Sequence, residues 1–293
     1  MRGQISLNRS RITFQGIPNK TMFRMLGSTS NMIRVTADNF QIKDICIDYS
    51  GFTGTGSTHA IIGVGIEDIL IEDCRFEGLL SGCFQWQQTN KRVILRRNTI
   101  MCPDVSLSST LFAFGSCEDS IVEGNNFIGG GNIIQSGGVR NRFENNYFEN
   151  AATVSSTNAL NFIGADCCII RGNRFVSTTM NGRAIHLSSS AVNNIVENNH
   201  ITNFNTGINL SNSNRNLISN NFVVRGAGLS SDYTATQQTI TVTDSNCFNN
   251  MVIGNLVLGK AVTSNSTTGT THTNNHVAGN FTGGLGHHPP PAI

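Results

Sequence analysis

One short phrase, apolar-x-x-Asn-x-apolar, returns throughout the chain and restricts it to folds built from repeated units. It stands at Leu95/Asn98/Ile100, Val122/Asn125/Phe127, Phe143/Asn146/Phe148, Ile170/Asn173/Phe175, Val196/Asn199/Ile201, Ile218/Asn221/Val223 and Val252/Asn255/Val257. A weaker copy is Val277/Asn280/Thr282, and Ile71/Cys74/Phe76 and Ile42/Ile45/Ile47 carry the phrase without its asparagine. Ten copies thus follow one another about every 26 residues. Ahead of them stand apolar residues in strict alternation, as in Leu160-Asn161-Phe162, Ile185-His186-Leu187 and Ile208-Asn209-Leu210. Alternation predicts short strands, and the three-and-four spacing of an amphipathic helix is missing.

Each unit therefore reads as two or three strands joined by turns, able to bury its apolar side only against its neighbours. A leucine-rich horseshoe needs apolar residues five and eight positions before its asparagine. Here those places hold Asn194 and Ala191, Asn216 and Ser213, or Ser120 and Cys117, which disfavours it. An asparagine facing inward at the same turn of coils about 4.8 Å apart bonds along the stack and satisfies buried turn carbonyls. The expected fold is all-β: a right-handed, single-stranded parallel β-helix of about ten coils with an inward asparagine ladder. It spans residues 1–283, and 284–293, with GHHPPPAI, form a flexible tail.

Composition removes several partners. Only 13% of residues are charged, about half of the roughly 25% usual in soluble proteins, and polarity comes instead from Ser, Thr, Gly and 37 Asn. Net charge is +2 without a basic run or an acidic tail, so no nucleic-acid partner is expected. No apolar run approaches membrane-spanning length, and residues 1–20 lack a signal-peptide core; neither membrane insertion nor a leader is expected. The eight cysteines form no CxxC pair and read as small buried hydrophobes of a chain assembled in a reducing compartment, with a disulfide framework as the alternative.

GINLSNSNRNLISNN and AIHLSSSAVNNIVENN resemble coils of the pectate-lyase-like parallel β-helix superfamily, which includes polysaccharide lyases, glycoside hydrolases, copper-delivery proteins and viral tailspikes. ISLNRSRITFQGIPNKTMFRMLG resembles the opening coil of such proteins, and the likeness covers residues 5–283. The resemblance implies a groove along the outward side of one sheet, walled by loops. The calcium-holding Asp cluster and Arg base of pectate lyases, and the Asp pairs and Gly-His-Gly of polygalacturonases, have no counterpart here, so no cofactor or metal is expected.

On the surface, outward positions of the first strand of each coil read Gln85, Ala113, Asn161, His186, Asn209 and Thr241. The polar members Gln85, Asn161, His186 and Asn209 are candidates for hydrogen bonding to sugar hydroxyls, against a plain solvated sheet. A second column reads Lys43, Glu72, Arg96, Glu123, Glu144, Arg171 and Glu197, an ion-pair ladder whose alternation breaks where Glu123 stacks on Glu144. Two carboxylates roughly 5 Å apart are the arrangement of a retaining glycosidase, with neutralisation of both by the flanking Arg96 and Arg171 as the alternative. Glu77 and Glu149, each one residue past the third-strand Phe, are further catalytic candidates on loops with Asp48, Asp104 and Asp232. His272, His276, His287 and His288 read as solvated residues, and Trp86 with Phe84, Phe112 and Phe114 as a core stack. Toward the C-terminus Ile253, Ala278, Phe222, Leu256 and Phe281 face outward, which implies a covering loop or subunit.

The expected function is a tailspike-like protein that binds, and as a hydrolase or lyase cleaves, a cell-surface polysaccharide. Its expected setting is a homotrimer on a virion tail or outside the cell, assembled in cytoplasm. A non-catalytic spike or glycan-binding module and a monomeric secreted pectate-type lyase are the alternatives.

Overall fold

The computed structural model describes residues 4–27, 31–53, 59–78, 82–102, 110–115, 117–129, 132–151, 157–179, 181–224, 240–243, 246–258, 263–264 and 275–283. Every described element is a strand, and the strands form three parallel sheets that run the length of the molecule. Each coil contributes a strand to the first, second and third sheets in turn. The first sheet runs from Ile5–Leu7 to Thr263–Ser264, the second from Ile12–Gln15 to His276–Ala278, and the third from Met22–Arg24 to Phe281–Gly283. The first and third hold eleven strands; the second holds twelve, because Cys117–Glu118 pairs beside the main path. The coil beyond the ten copies is the opening one, whose turn at residues 16–21 holds Asn19 but lacks the repeated phrase. Proposed tail residues 284–293, Asp104, Asp232, His272, His287 and His288 lie outside the described residues.

The repeated phrase is the corner between the second and third sheets. At each corner one residue takes the left-handed conformation and the next is the ladder residue, as with Asn145 (φ 55°) before Asn146 and Gly172 (φ 66°) before Asn173. Only Gly, Asn and Asp adopt that conformation at small cost, so the phrase carries GN and NN dipeptides. Asn173 shows the ladder chemistry. Its Oδ1 accepts from the backbone N–H of Asn146 at 2.9 Å and from Asn146 Nδ2 at 3.0 Å. Its own Nδ2 donates to the Phe143 carbonyl at 2.8 Å and to Asn199 Oδ1 at 3.0 Å. Register holds through the longest coil, where Phe222 pairs with Leu256, so its extra residues fall between the strands.

A second ladder, which reading a single asparagine per coil misses, occupies the corner between the first and second sheets. Asn194 N–H donates to Asn216 Oδ1 at 3.0 Å, Asn216 N–H to Asn250 Oδ1 at 3.0 Å and Asn250 N–H to Asn275 Oδ1 at 2.9 Å. Its sequence trace is an asparagine five residues ahead of the first: Asn141/Asn146, Asn194/Asn199, Asn216/Asn221, Asn250/Asn255 and Asn275/Asn280.

Between the ladders the interior is apolar. Phe127, Phe148 and Phe175 stack coil upon coil with ring centroids 5.0 and 4.6 Å apart. Trp86 is buried against Phe84 and Phe114, as its alternation predicts. All eight cysteines are free thiols, and six are buried. Burial pushes the Cys74 and Cys168 thiols up to about 12, which makes them inert packing groups.

Candidate functional site

Strand pairing turns the outward face of the first sheet into one continuous file. Gln85 pairs with Ala113, Ala113 with Gln135, Gln135 with Asn161, Asn161 with His186, His186 with Asn209 and Asn209 with Thr241. Gln135 completes the file, and the sequence reading missed it because its coil is short. This face is not the plain solvated sheet that outward alternation allows. Asn209 is 6% and Thr241 2% exposed, and Asn161 and His186 are half-buried. Asn209 Nδ2 donates to Thr241 Oγ1 at 2.6 Å, and His186 Nε2 lies 2.9 Å from Ser211 Oγ. On paired residues of adjacent strands, Asn161 Oδ1 and His186 Nδ1 are each buried without a hydrogen-bond partner. Burial, helped by the positive charge of Arg183, lowers the His186 pKa to about 4, so the ring is neutral at ordinary pH.

On the second sheet the charged file is in the predicted order. Arg96 pairs with Glu123, Glu123 with Glu144, Glu144 with Arg171 and Arg171 with Glu197. The two glutamates are on adjacent strands, about 4.8 Å apart, but their surroundings differ. Glu144 is buried and ion-paired to Arg142 and Arg171, both at 2.7 Å. Glu123 is half-buried and, among the described residues, forms no ion pair; Arg96 turns instead to Glu72.

Glu77 and Glu149 belong to a different face, the outside of the third sheet. Glu149 pairs with Ile128 and Ile128 with Met101, the neighbour of Glu77 on the preceding coil. Three coil spacings, about 14 Å, separate the two glutamates, well beyond the roughly 5–9.5 Å that glycosidase carboxylate pairs require. Glu77 lines a small cavity of about 170 Å³ with Gly78, Met101, Cys102 and Ile128, and is ion-paired to Arg75 at 2.7 Å. Glu149 accepts from the Tyr147 hydroxyl at 2.9 Å. Asp48 is buried and tied to Arg24 and Ser50. The four catalytic candidates therefore form one adjacent pair and two separate residues.

The outward apolar residues near the C-terminal end also fall in register. Phe222 pairs with Leu256 and Leu256 with Phe281, and Phe281 is 65% exposed.

The family described as "Right handed beta helix region" matches residues 134–287. No match is found among curated proteins. Among solved structures the chain is similar to the mannuronan C-5 epimerase A-module of Azotobacter vinelandii, with 13% identity and a TM-score of 0.53 over 98% of this chain and 87% of that one. It is similar to DFA-IIIase from Arthrobacter chlorophenolicus without its lid, with 14% identity and a TM-score of 0.61 over 97% and 76% of the two chains. The tailspike protein of E. coli bacteriophage HK620, solved with a pentasaccharide, gives 14% identity and a TM-score of 0.52 over 97% of this chain and 60% of that one. At such identities the likeness is one of fold.

Proposed function

Because the chain belongs to the right-handed β-helix family, we propose that it is a tailspike-like protein that binds a cell-surface polysaccharide along the first-sheet face. The observation that carries this reading is the pair of unpartnered atoms, Asn161 Oδ1 and His186 Nδ1. A buried polar atom without a partner costs about 1–3 kcal/mol. Once either side chain turns its atom to the face, a sugar hydroxyl, donor and acceptor at once, removes that cost. The surrounding Gln135, Asn209 and Ser211 are neutral, as suits a hydroxylated ligand. Of the similar structures, one is named for mannuronan and another was solved with a pentasaccharide, which supports the same ligand class.

The test is binding by the full chain to a panel of bacterial surface polysaccharides in affinity electrophoresis. His186→Ala and Asn161→Ala should each weaken retardation about tenfold while melting like the parent. Retardation unchanged in both variants sinks this face as the site.

A cleaving version of the same reading is favoured by one observation, the unequal pair Glu123 and Glu144. Two arginines hold Glu144 as the carboxylate that attacks the anomeric carbon, while Glu123 gives its proton to the departing glycosidic oxygen. Glu123 then takes a proton from the water that releases the sugar from Glu144. Glu123→Gln and Glu144→Gln should abolish release of reducing ends without loss of binding, and Glu77→Gln and Glu149→Gln should not. If the parent releases no sugar, the protein is the non-catalytic module; calcium-dependent release of unsaturated sugars would mark a pectate-type lyase.

We also propose that the outward Phe222, Leu256 and Phe281 meet other subunits in a homotrimer on a virion tail, assembled in cytoplasm. Light scattering should then give about three times the 31.6 kDa chain mass, and a monomer removes this part of the reading.

A further inference from the structure

Arg183 departs from the rest of the molecule in its electrostatics. Among the described residues, the arginines without a carboxylate partner, such as Arg9, Arg11, Arg34, Arg174 and Arg215, are exposed to water, where an unpaired charge is inexpensive. Two described arginines are partly buried. Arg96 is one, its side chain 40% exposed and ion-paired to Glu72. Arg183 is the other, and among the described residues no ion pair forms to it. Its one side-chain hydrogen bond is a long one, Nη1 donating to Asn158 Oδ1 at 3.5 Å. Burial pulls its pKa down, the direction expected of a guanidinium deprived of both water and a counter-charge.

The fold does not ask for this charge. Arg183 pairs with Asn158 on the coil below and Thr206 on the coil above, so neutral residues fill the same register position on both sides. A partly buried cation without a partner carries a desolvation cost that a glutamine would not. The positive charge of Arg183 reaches the His186 ring on the same strand, and polar atoms are left unpartnered at His186 Nδ1, at Asn161 Oδ1 on the preceding strand, and at Asn203 Oδ1 and Asn205 Oδ1 on the connection that leads into the strand above. Arg183 opens its strand, and His186 lies three residues further along it.

We infer that Arg183 is an anion subsite: it takes the carboxylate of an acidic sugar in a polysaccharide whose hydroxyls meet Asn161 and His186. This rests on the polysaccharide reading above and adds the charge class of the ligand. A planar carboxylate accepts two parallel N–H bonds from a guanidinium, and its charge is the one the site lacks.

Two measurements on the full chain test it. The first needs no ligand: Arg183→Gln should melt at or above the parent temperature, and a drop of several degrees would make Arg183 a structural residue and overturn the inference. The second compares hyaluronan, polygalacturonate and alginate with their carboxyl-reduced forms by titration calorimetry at fixed salt. The parent should bind at least one native polymer about tenfold or more above its reduced form, and Arg183→Gln should lose that preference while Arg174→Gln keeps it. A preference that survives in Arg183→Gln overturns the inference. Binding of reduced and native forms alike by the parent overturns it and leaves the polysaccharide reading standing; no binding to any of the three polymers overturns it too, and the panel of surface polysaccharides then decides the polysaccharide reading.

Discussion

Replacing Asn173 by alanine tests whether the ladder, rather than the apolar interior alone, holds the coils in register. Asn173 is 1% exposed, so water cannot take over its bonds. The substitution leaves the Asn146 N–H without its acceptor, and deprives Asn146 Nδ2, the Phe143 carbonyl and Asn199 Oδ1 of one bond each. The orphaned amide costs about 1–3 kcal/mol and each of the other lost bonds about 1 kcal/mol, so the total is about 4–6 kcal/mol. That is a large share of the roughly 5–15 kcal/mol available to a domain. Asn280 makes the same bonds at the end of the ladder, to Asn255 and the Val252 carbonyl, but is only partly buried. Its alanine variant should lose about 1 kcal/mol, because water replaces part of what is removed. Equilibrium urea unfolding of both variants gives the comparison, and amide exchange shows whether protection is lost in the coils around Asn173 first, as nearest-neighbour coupling requires. Equal losses at the two sites, or a loss under about 1 kcal/mol at Asn173, would refute the argument that burial sets the worth of a ladder bond.

Other consequences are simpler to measure. With a folded pKa of about 4 against an ordinary 6.5, His186 stays unprotonated in the folded state while the unfolded chain takes up a proton. Its contribution is complete above pH 6.5 and is lost as pH falls toward 4, about 3 kcal/mol in all; His186→Asn should flatten that part of the stability-against-pH curve. Cys167 is exposed and left-handed (φ 55°), so Cys167→Gly should raise stability by about 0.5–1 kcal/mol in urea unfolding. A Cβ on Gly63 would run into the Trp86 ring. Gly63→Ala should therefore cost about 1–3 kcal/mol and shift the emission of the molecule's single tryptophan.

Much of the architecture was legible because the forces that stack coils act on the same residue types at every turn. Asn at the second-to-third corner, Gly or Asn before it and an apolar residue on each side recur for separate physical reasons, and their agreement leaves one fold. The second ladder was equally periodic, but Ser120, Cys168 and Val93 interrupt it, and a search for a single phrase passes over it. The outward faces were legible only as files. Alternation places Asn161, His186 and Asn209 side by side, yet it carries no information on what lies over them. Their burial is a tertiary feature that the pattern of one strand does not encode. Glu77 and Glu149 look equivalent because each follows a phenylalanine; the three coils between them appear only once register is counted.

A solenoid offers an internal control for function, since each residue is compared with those directly above and below it. Where a file keeps its character, the fold alone explains it, as with the asparagines or with Arg171 between Glu144 and Glu197. Where a file breaks at an energetic cost, stability does not explain the residue. Glu123 on Glu144 puts two carboxyl groups on adjacent strands, and Arg183 puts a partly buried cation between Asn158 and Thr206. Both breaks should be relieved by the neutral isostere, so Glu123→Gln and Arg183→Gln should each hold or raise the melting temperature. They should differ in function, with Glu123→Gln losing turnover and keeping ligand, and Arg183→Gln losing preference for an acidic ligand. A variant that loses both stability and function at either site would place that residue back among those the fold requires.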